Sequence, residues 1–465
     1  MGNPSQPVRW PREQAAHLLA RAGFGATPDQ VEAAAQAGLF PTVENLLRVG
    51  SDEDLFPPED SFADKAPYSA ALKEIAGLRN DPEAQRQARR RLRIMENSAL
   101  ADLRAWWLQR LRHSPHPLRE KMTLFWHGHF ATSVEKTRSV YLLWRQNELF
   151  RMHALGNFGE LARAIPSDPA MMRYLDIAGS SKEHPNENFA REVMELFLLG
   201  EGHYTEEDIR EAARAFAGWR INPASQMAAP VQRKMDDGEK KLFGQVGRFG
   251  ATDAVDVILS RPQCAPFIAG KVWKFFAGRD PTPRTLGRLA ERFRASRFDT
   301  SRLLRAVFLE EEFYSPAVMG TQIKSPVEWL VGAAIRLEEP ISGSPAELAA
   351  LDALGQKLFQ PPNVRGWEGG KSWMSVSAFL SRCNLAYSLF LTGGRQKSRL
   401  FPEEVRKSPE AVVASTEQRL FPMRVSSSAH AKLVDFAKAH SFPADEKTVR
   451  ELLRFAMTLP EFQLT

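Results

Sequence analysis

The amino-acid sequence predicts an all-α protein: a large multi-helical single unit carrying a small β-hairpin insertion. Apolar residues recur at helical spacing through most of the 465 residues. Helix-starting and helix-stopping residues bracket those stretches. Only residues 220–250 change character, to a Gly-, Asp- and Lys-rich segment with short alternating flanks. Composition agrees, since 43% hydrophobic and 25% charged are ordinary globular values. Ten Trp and 29 Phe can fill a core without disulfides or a structural metal.

Taken in order, residues 12–22 read as a short amphipathic helix ending at the turn GFGAT. Thr27 and Pro28 are an N-cap and a first-turn proline for the next helix, and Gly38 closes it. Residues 50–69, rich in Asp, Pro and Ser, read as a loop, followed by a long helical stretch over 70–112 broken near Asn80-Asp81-Pro82. A helix from about Leu118 carries REKMTLFWHGHF. Residues 187–199 form one helix, with Phe189, Val193, Leu196, Phe197 and Gly200 on one face. Thr205 with Asp208 is a capping-box-like pair opening the following helix. Asp237-Gly238 marks the expected hairpin turn within 220–250. Helical patterns resume at Ala251 and run through 265–277, 284–295 and 300–311, with breaks at 339–345 and 360–370. Residues 393–430 are polar and are expected to be partly mobile, and a last helix spans about 445–458. The whole of 1–465 is expected to be one domain.

Several function classes lose support at this stage. Net charge is +6, and the strongest basic run, RQARRRLR at 86–93, reads as a solvated helix face. Nucleic-acid binding through 86–93 stays only as a weaker alternative, because no recognised nucleic-acid-binding module accompanies the run. Cys264 and Cys383 lie far apart and outside any CxxC pattern, so a cysteine-rich metal site is excluded, and both read as buried small apolar residues. No run of 18 apolar residues exists, so no membrane span is expected. MGNPSQPVRWPREQ lacks an apolar leader region, and the sequence as given is expected to stay in the cytoplasm. G-x-S-x-G, P-loop, Rossmann and HExxH motifs are absent.

Six blocks run in order across almost the whole chain: RAGFGATPDQV at 21–31, REKMTLFWHGHFAT at 119–132, PNENFAREVMELFLLGEGHYTEEDIREAARAFAGW at 185–219, KSPVEWLVG at 324–332, FQPPNVRGWEGGKSW at 359–373 and LPEFQ at 459–463. Together they resemble the DUF1800 family, whose biochemical function is not established. The resemblance implies a largely helical fold and a bacterial protein. It also implies a family often exported and often encoded beside a sulfatase-like partner family, DUF1501. Phe197 stands where relatives carry His in an ELHTLG-like stretch, and Met235 precedes Asp236-Asp237-Gly238 where relatives carry an HDxG-like turn.

Four constellations could carry chemistry. Asn188, Glu192 and Glu195 lie at i, i+4 and i+7 of one helix, where two carboxylates could share a cation or a proton and Asn188 could orient them. The bland alternative is a salt-bridge network with Arg191, Arg210 or Arg214. His127-Gly128-His129 could hold a divalent metal if Gly128 let the rings converge. On an unbroken helix they point about 200° apart, and one core and one surface histidine are then expected. His203 precedes a helix N-terminus, a generic anion site, although Glu206, Glu207 and Asp208 make capping the better account. Arg365, Trp367 and Trp373 could line a ligand cleft, or the tryptophans could pack an Ω-like loop onto the body.

The functional expectation is a divalent-metal or ligand-binding enzyme. Its metal ligands would come from His127, His129, Glu192, Glu195 and His203, with Arg365, Trp367 and Trp373 contacting a ligand. The alternative is a noncatalytic helical scaffold for a protein partner of the DUF1501 kind. Substrate, partner and oligomeric state are open.

Overall fold

Local capping chemistry sets most helix boundaries. The computed structural model describes residues 10–50, 55–223, 225–391 and 396–465. Helix Arg12–Ala22 is followed by Pro28–Ala37, where the Thr27 hydroxyl accepts from the Gln30 N–H and the Gln30 side chain accepts from the Thr27 N–H at 2.9 Å. Ser325 and Glu328 make the same reciprocal pair before helix Pro326–Arg336. Such pairs satisfy amides that a helix start leaves orphaned.

The structure is 65% helical, with 23 α-helices and two small two-stranded antiparallel sheets among the described residues. It is all-α with a small β insertion, as the sequence predicts. The insertion holds two hairpins rather than one: Trp219–Ile221 pairs with Ala228–Pro230, and Lys240–Leu242 pairs with Gln245–Gly247. Asp237-Gly238 is therefore not the hairpin turn. Asp236 is gripped by Arg214 and accepts from the Gly238 N–H at 2.9 Å, and that polar anchor holds the dipeptide ahead of the second hairpin. Ala224 lies outside the described residues.

Other departures are local. The expected loop over 50–69 contains helix Asp60–Ala63 and the start of Ala66–Gly77, because Phe62 and Tyr68 find buried sites; residues 51–54 lie outside the described residues. Within 393–430, helix Pro409–Leu420 buries Val412, Val413 and Leu420, and residues 393–395 are again outside. Residues 1–9, most of the N-terminal stretch read in the sequence, are outside as well. Cys264 is buried but Cys383 is only half-buried, since it sits on the partly exposed helix Val376–Phe390. Among the described residues no helix is long and apolar enough to cross a membrane.

Two large apolar clusters form the core. One collects residues from the first helices and from 150–318; the other joins helix Pro82–His113 to residues 327–462. Helix Pro117–His129 lies between them, giving Leu118, Met122, Phe125 and Trp126 to the first and Leu124 to the second. A helix packed on both sides must be buried nearly all round, and ten of its 13 residues are.

That burial brings charges inside. Glu120 is fully buried, yet Arg151 holds it through Nε and Nη2 at 2.8 and 3.1 Å, and Trp107 Nε1 donates at 3.2 Å. Lys121 pairs with Glu328 and donates to Gly23 O at 2.9 Å. Arg21 donates to Phe276 O at 3.0 Å and Val318 O at 2.9 Å, while Lys324 Nζ donates to Phe462 O at 2.5 Å. A buried charge is tolerated only when paired and hydrogen-bonded. These contacts tie together RAGFG, REKM, KSPVEW and LPEFQ. Four of the six sequence blocks are thereby accounted for, at least in part, by holding the fold.

Candidate functional site

The remaining segments, 185–219 and 359–373, meet the C-terminal end of helix Pro117–His129. Helix Glu187–Glu192, capped by Asn186, passes into a π-helical turn, Val193–Leu198. There the Leu199 N–H reaches back to Met194 O at 2.8 Å. Widened turns of this kind recur at functional sites because they displace carbonyls and side chains from the regular ladder. Two side chains take the freed carbonyls: Lys271 Nζ donates to Leu196 O at 3.0 Å, and His129 Nε2 lies 3.0 Å from Phe197 O.

The histidines do not converge. The helix continues through Gly128 to His129, so the two rings face different clusters. His127 enters the second, against Trp107 and Phe359, and its Nε2 accepts from the Phe359 N–H at 3.2 Å. His129 enters the first, among Phe125, Phe130 and Phe197. Both are buried, so no surface histidine exists here. Burial drives the His127 pKa down to about 3, and burial followed by Lys271 drives that of His129 well below the usual value. Both are neutral at physiological pH. A carbonyl only accepts, so His129 Nε2 carries the hydrogen and Nδ1 is a bare acceptor; Nδ1 is buried without a hydrogen-bond partner among the described residues.

Glu195 faces the same space. It accepts from the Tyr204 hydroxyl at 2.6 Å and from Arg365 Nη2 at 3.0 Å. Glu192 is half-buried, and burial and then Glu195 raise its pKa. Asn188 is exposed and bonds to neither carboxylate. The expected network with Arg191, Arg210 and Arg214 forms elsewhere, since those arginines pair with Glu206, Glu207, and Glu211 with Asp236. The capping account of Thr205 and Asp208 holds. His203 is exposed, with its ring near Gly200.

In the loop 359–373, Arg365 reaches Glu195 and Glu201. Trp367 packs on His127 at 5.6 Å between ring centroids, and Trp373 is buried beneath the loop, so the tryptophans fasten the loop. Gly366, at φ +77°, presses on helix Pro117–His129, where an added Cβ would come 2.3 Å from Gly128 O. Phe197 and Met235 serve packing: Phe197 lies against Phe130, and Met235 lies against Gly218.

The outcome is a pocket of about 350 Å³ lined by His129, Glu195, Glu201, Lys271 and Arg365 over an apolar wall of Leu196, Phe267 and Val364. Of the predicted residues, His129, Glu195 and Arg365 are brought together; His127, Trp373 and Asn188 are not part of that lining. Among the described residues no group of three His, Cys, Asp or Glu side chains is placed to hold a metal ion. Lys271, Tyr204 and Glu201 went unnoticed in the sequence. A signal was present for Lys271, a lysine beside the buried Ile268 and Val272 in the apolar helix Cys264–Ala277.

The family model described as "Protein of unknown function (DUF1800)" matches residues 17–464. No curated protein and no solved structure matches the chain.

Proposed function

We propose, for a chain that belongs to the DUF1800 family of proteins of unknown function, that the pocket at the π-helical turn binds a small organic acid bearing a hydroxyl or amino group. One observation carries this reading. Lys271 opens onto the pocket with a backbone carbonyl as its hydrogen-bond partner, while both nearby carboxylates, Glu195 and Glu201, are turned to Arg365. Burial and then Arg365 lower the Lys271 pKa to about 8, which is the signature of a cation short of negative charge. A ligand carboxylate placed on Lys271 would supply that charge. The Glu195 carboxylate on the pocket wall accepts only from a donor, hence the hydroxyl or amino group. Leu196, Phe267 and Val364 would cover the ligand's carbon skeleton.

The ligand half of the original expectation therefore has more support than the metal half. Of the residues nominated as metal ligands, His129 is bonded through Nε2 to a carbonyl and Glu195 to Arg365 and Tyr204. The test is a thermal-shift panel of amino and hydroxy acids alongside the corresponding amines and alcohols lacking the carboxylate. Acids are expected to stabilise the native protein and not Lys271→Met. Equal shifts in both proteins, or none in the native protein, would sink the reading.

A partner-binding scaffold is the second reading. Helix Val376–Phe390 leaves Val376, Leu380 and Tyr387 exposed, an apolar stripe of the kind an interface uses. A DUF1501-like protein is the proposed partner. Co-purification with it that survives Val376→Asp plus Leu380→Asp would remove this stripe from consideration.

A further inference from the structure

A second cavity, of about 390 Å³, lies where the first turn of helix Ala66–Gly77 meets Val134–Thr137 and Pro169–Tyr174. Three cations line it: Lys136, Arg138 and Arg173. A single carboxylate, Asp176, shares the lining, and Lys136 takes it at 2.8 Å. Arg173 is held by neutral acceptors, the Tyr68 hydroxyl at 2.9 Å, Thr137 O at 3.3 Å and Gln226 Oε1 at 2.9 Å. Arg138 is exposed and forms no salt bridge with a described residue.

Two further features belong to the place. Thr137 is fully buried, and its hydroxyl has no hydrogen-bond partner among the described residues. Buried hydroxyls are nearly always paired, so an orphan needs an account. Arg138 and Asp176 both adopt left-handed backbone, φ +52° and +57°. Non-glycine residues in that region persist where the surroundings hold them, often at ligand sites.

We propose that this cavity is a binding site for a tetrahedral oxyanion, the phosphate of a small phosphomonoester, gripped by Arg138, Arg173 and Lys136 with the Tyr68 hydroxyl beside it. Arginine forks match such oxygens two at a time, and a dianion answers the surplus of two positive charges that three cations and one carboxylate leave. A monocarboxylate would neutralise only half of that surplus. The site is separate from the Lys271 pocket, sharing no lining residue with it.

The test uses the full chain, with inorganic phosphate, phenyl phosphate, sulfate and acetate followed by isothermal titration. Phosphate and phenyl phosphate are expected to bind the native protein, acetate much more weakly. Arg138→Gln, whose exposed side chain holds nothing in the fold, is expected to weaken phosphate binding about tenfold or more. Lys271→Met is expected to leave it unchanged, which separates failure here from failure of the organic-acid reading. Tighter phenyl phosphate than inorganic phosphate identifies an ester as the ligand; the reverse order identifies the free anion and overturns the monoester assignment. No phosphate binding up to about 10 mM, or equal binding by native protein and Arg138→Gln, overturns the site.

Discussion

Arg365 Nη2 lies 3.0 Å from Glu195 Oε1, joining two residues 170 positions apart and closing the loop 359–373 over the π-helical turn. The contact shapes the rim of the organic-acid pocket, yet the Arg365 side chain is 62% exposed. Water and salt screen such a pair, so Arg365→Ala should cost less than about 1 kcal/mol in urea unfolding. Acid binding should fall in the same variant, because the loop and its positive charge both loosen. A large stability loss would mean the loop is a structural strut first.

Glu120 should behave in the opposite way. Burial pushes its pKa up, but Arg151 and then Arg110 more than reverse that, so it is held below the usual carboxylate range. Removing the carboxylate takes away the fully buried counter-charge that Arg110 and Arg151, both nearly inaccessible, share, while Arg151 keeps the more exposed Glu148. Glu120→Ala should destabilise by about 3–5 kcal/mol, read from urea melts by Trp fluorescence. A loss under about 1 kcal/mol would show that the arginines find other partners.

Asp168 supplies a pH signature of known sign. Burial pushes its pKa from 3.8 up to about 6, against hydrogen bonds from the Met171 N–H and Gln146 Nε2, each at 2.7 Å. The folded state therefore holds this proton more tightly than the unfolded chain. Its contribution is greatest below the unfolded value of 3.8 and is lost as pH rises through about 6. The stability of Asp168→Asn relative to the native protein should rise between those values and then level off. A carboxyl signal titrating near the unperturbed value would contradict it.

Lys271 gives the pocket its own pH dependence. The ammonium is lost above about 8 in the free protein, so acid binding should weaken as pH climbs through and beyond that value. A bound carboxylate raises the lysine pKa, so the midpoint in the complex should lie higher. Isothermal titration across that range measures it. Affinity that does not change with pH would remove Lys271 as the anchoring cation.

Gly366 is the cheapest probe of loop docking. At φ +77° with Gly128 O in the path of any Cβ, Gly366→Ala must either strain the backbone or lift the loop off the helix. About 1–3 kcal/mol should be lost, together with a change in Trp367 emission, since Trp367 rests on His127. An unchanged melting temperature would show the loop is free to move aside.

Much of the helical scaffold was legible because its determinants are local. Thr27 with Gln30 and Thr205 with Asp208 act within three residues, and each cap fell where the spacing placed it. Asn186 caps helix Glu187–Glu192 by accepting from the Phe189 N–H, a role equally local that the helix reading of 187–199 did not include. The site was legible in part. His129, Glu195 and Arg365 were named from their types, but His127 was paired with His129 on the chance that Gly128 broke the helix. Packing against both clusters keeps that helix intact.

By itself, then, the sequence determined the fold class, most helix starts and stops and three of the four segments that build the pocket, because caps, prolines and apolar periodicity work over one or two turns. Tertiary structure alone decided which histidine faces the pocket, that Lys271 reaches Leu196 O across 75 residues, and that His127 meets the Phe359 N–H across 232. No local pattern encodes a contact at that separation. It is fixed only when two apolar clusters close on either side of one helix and send neighbouring side chains in opposite directions.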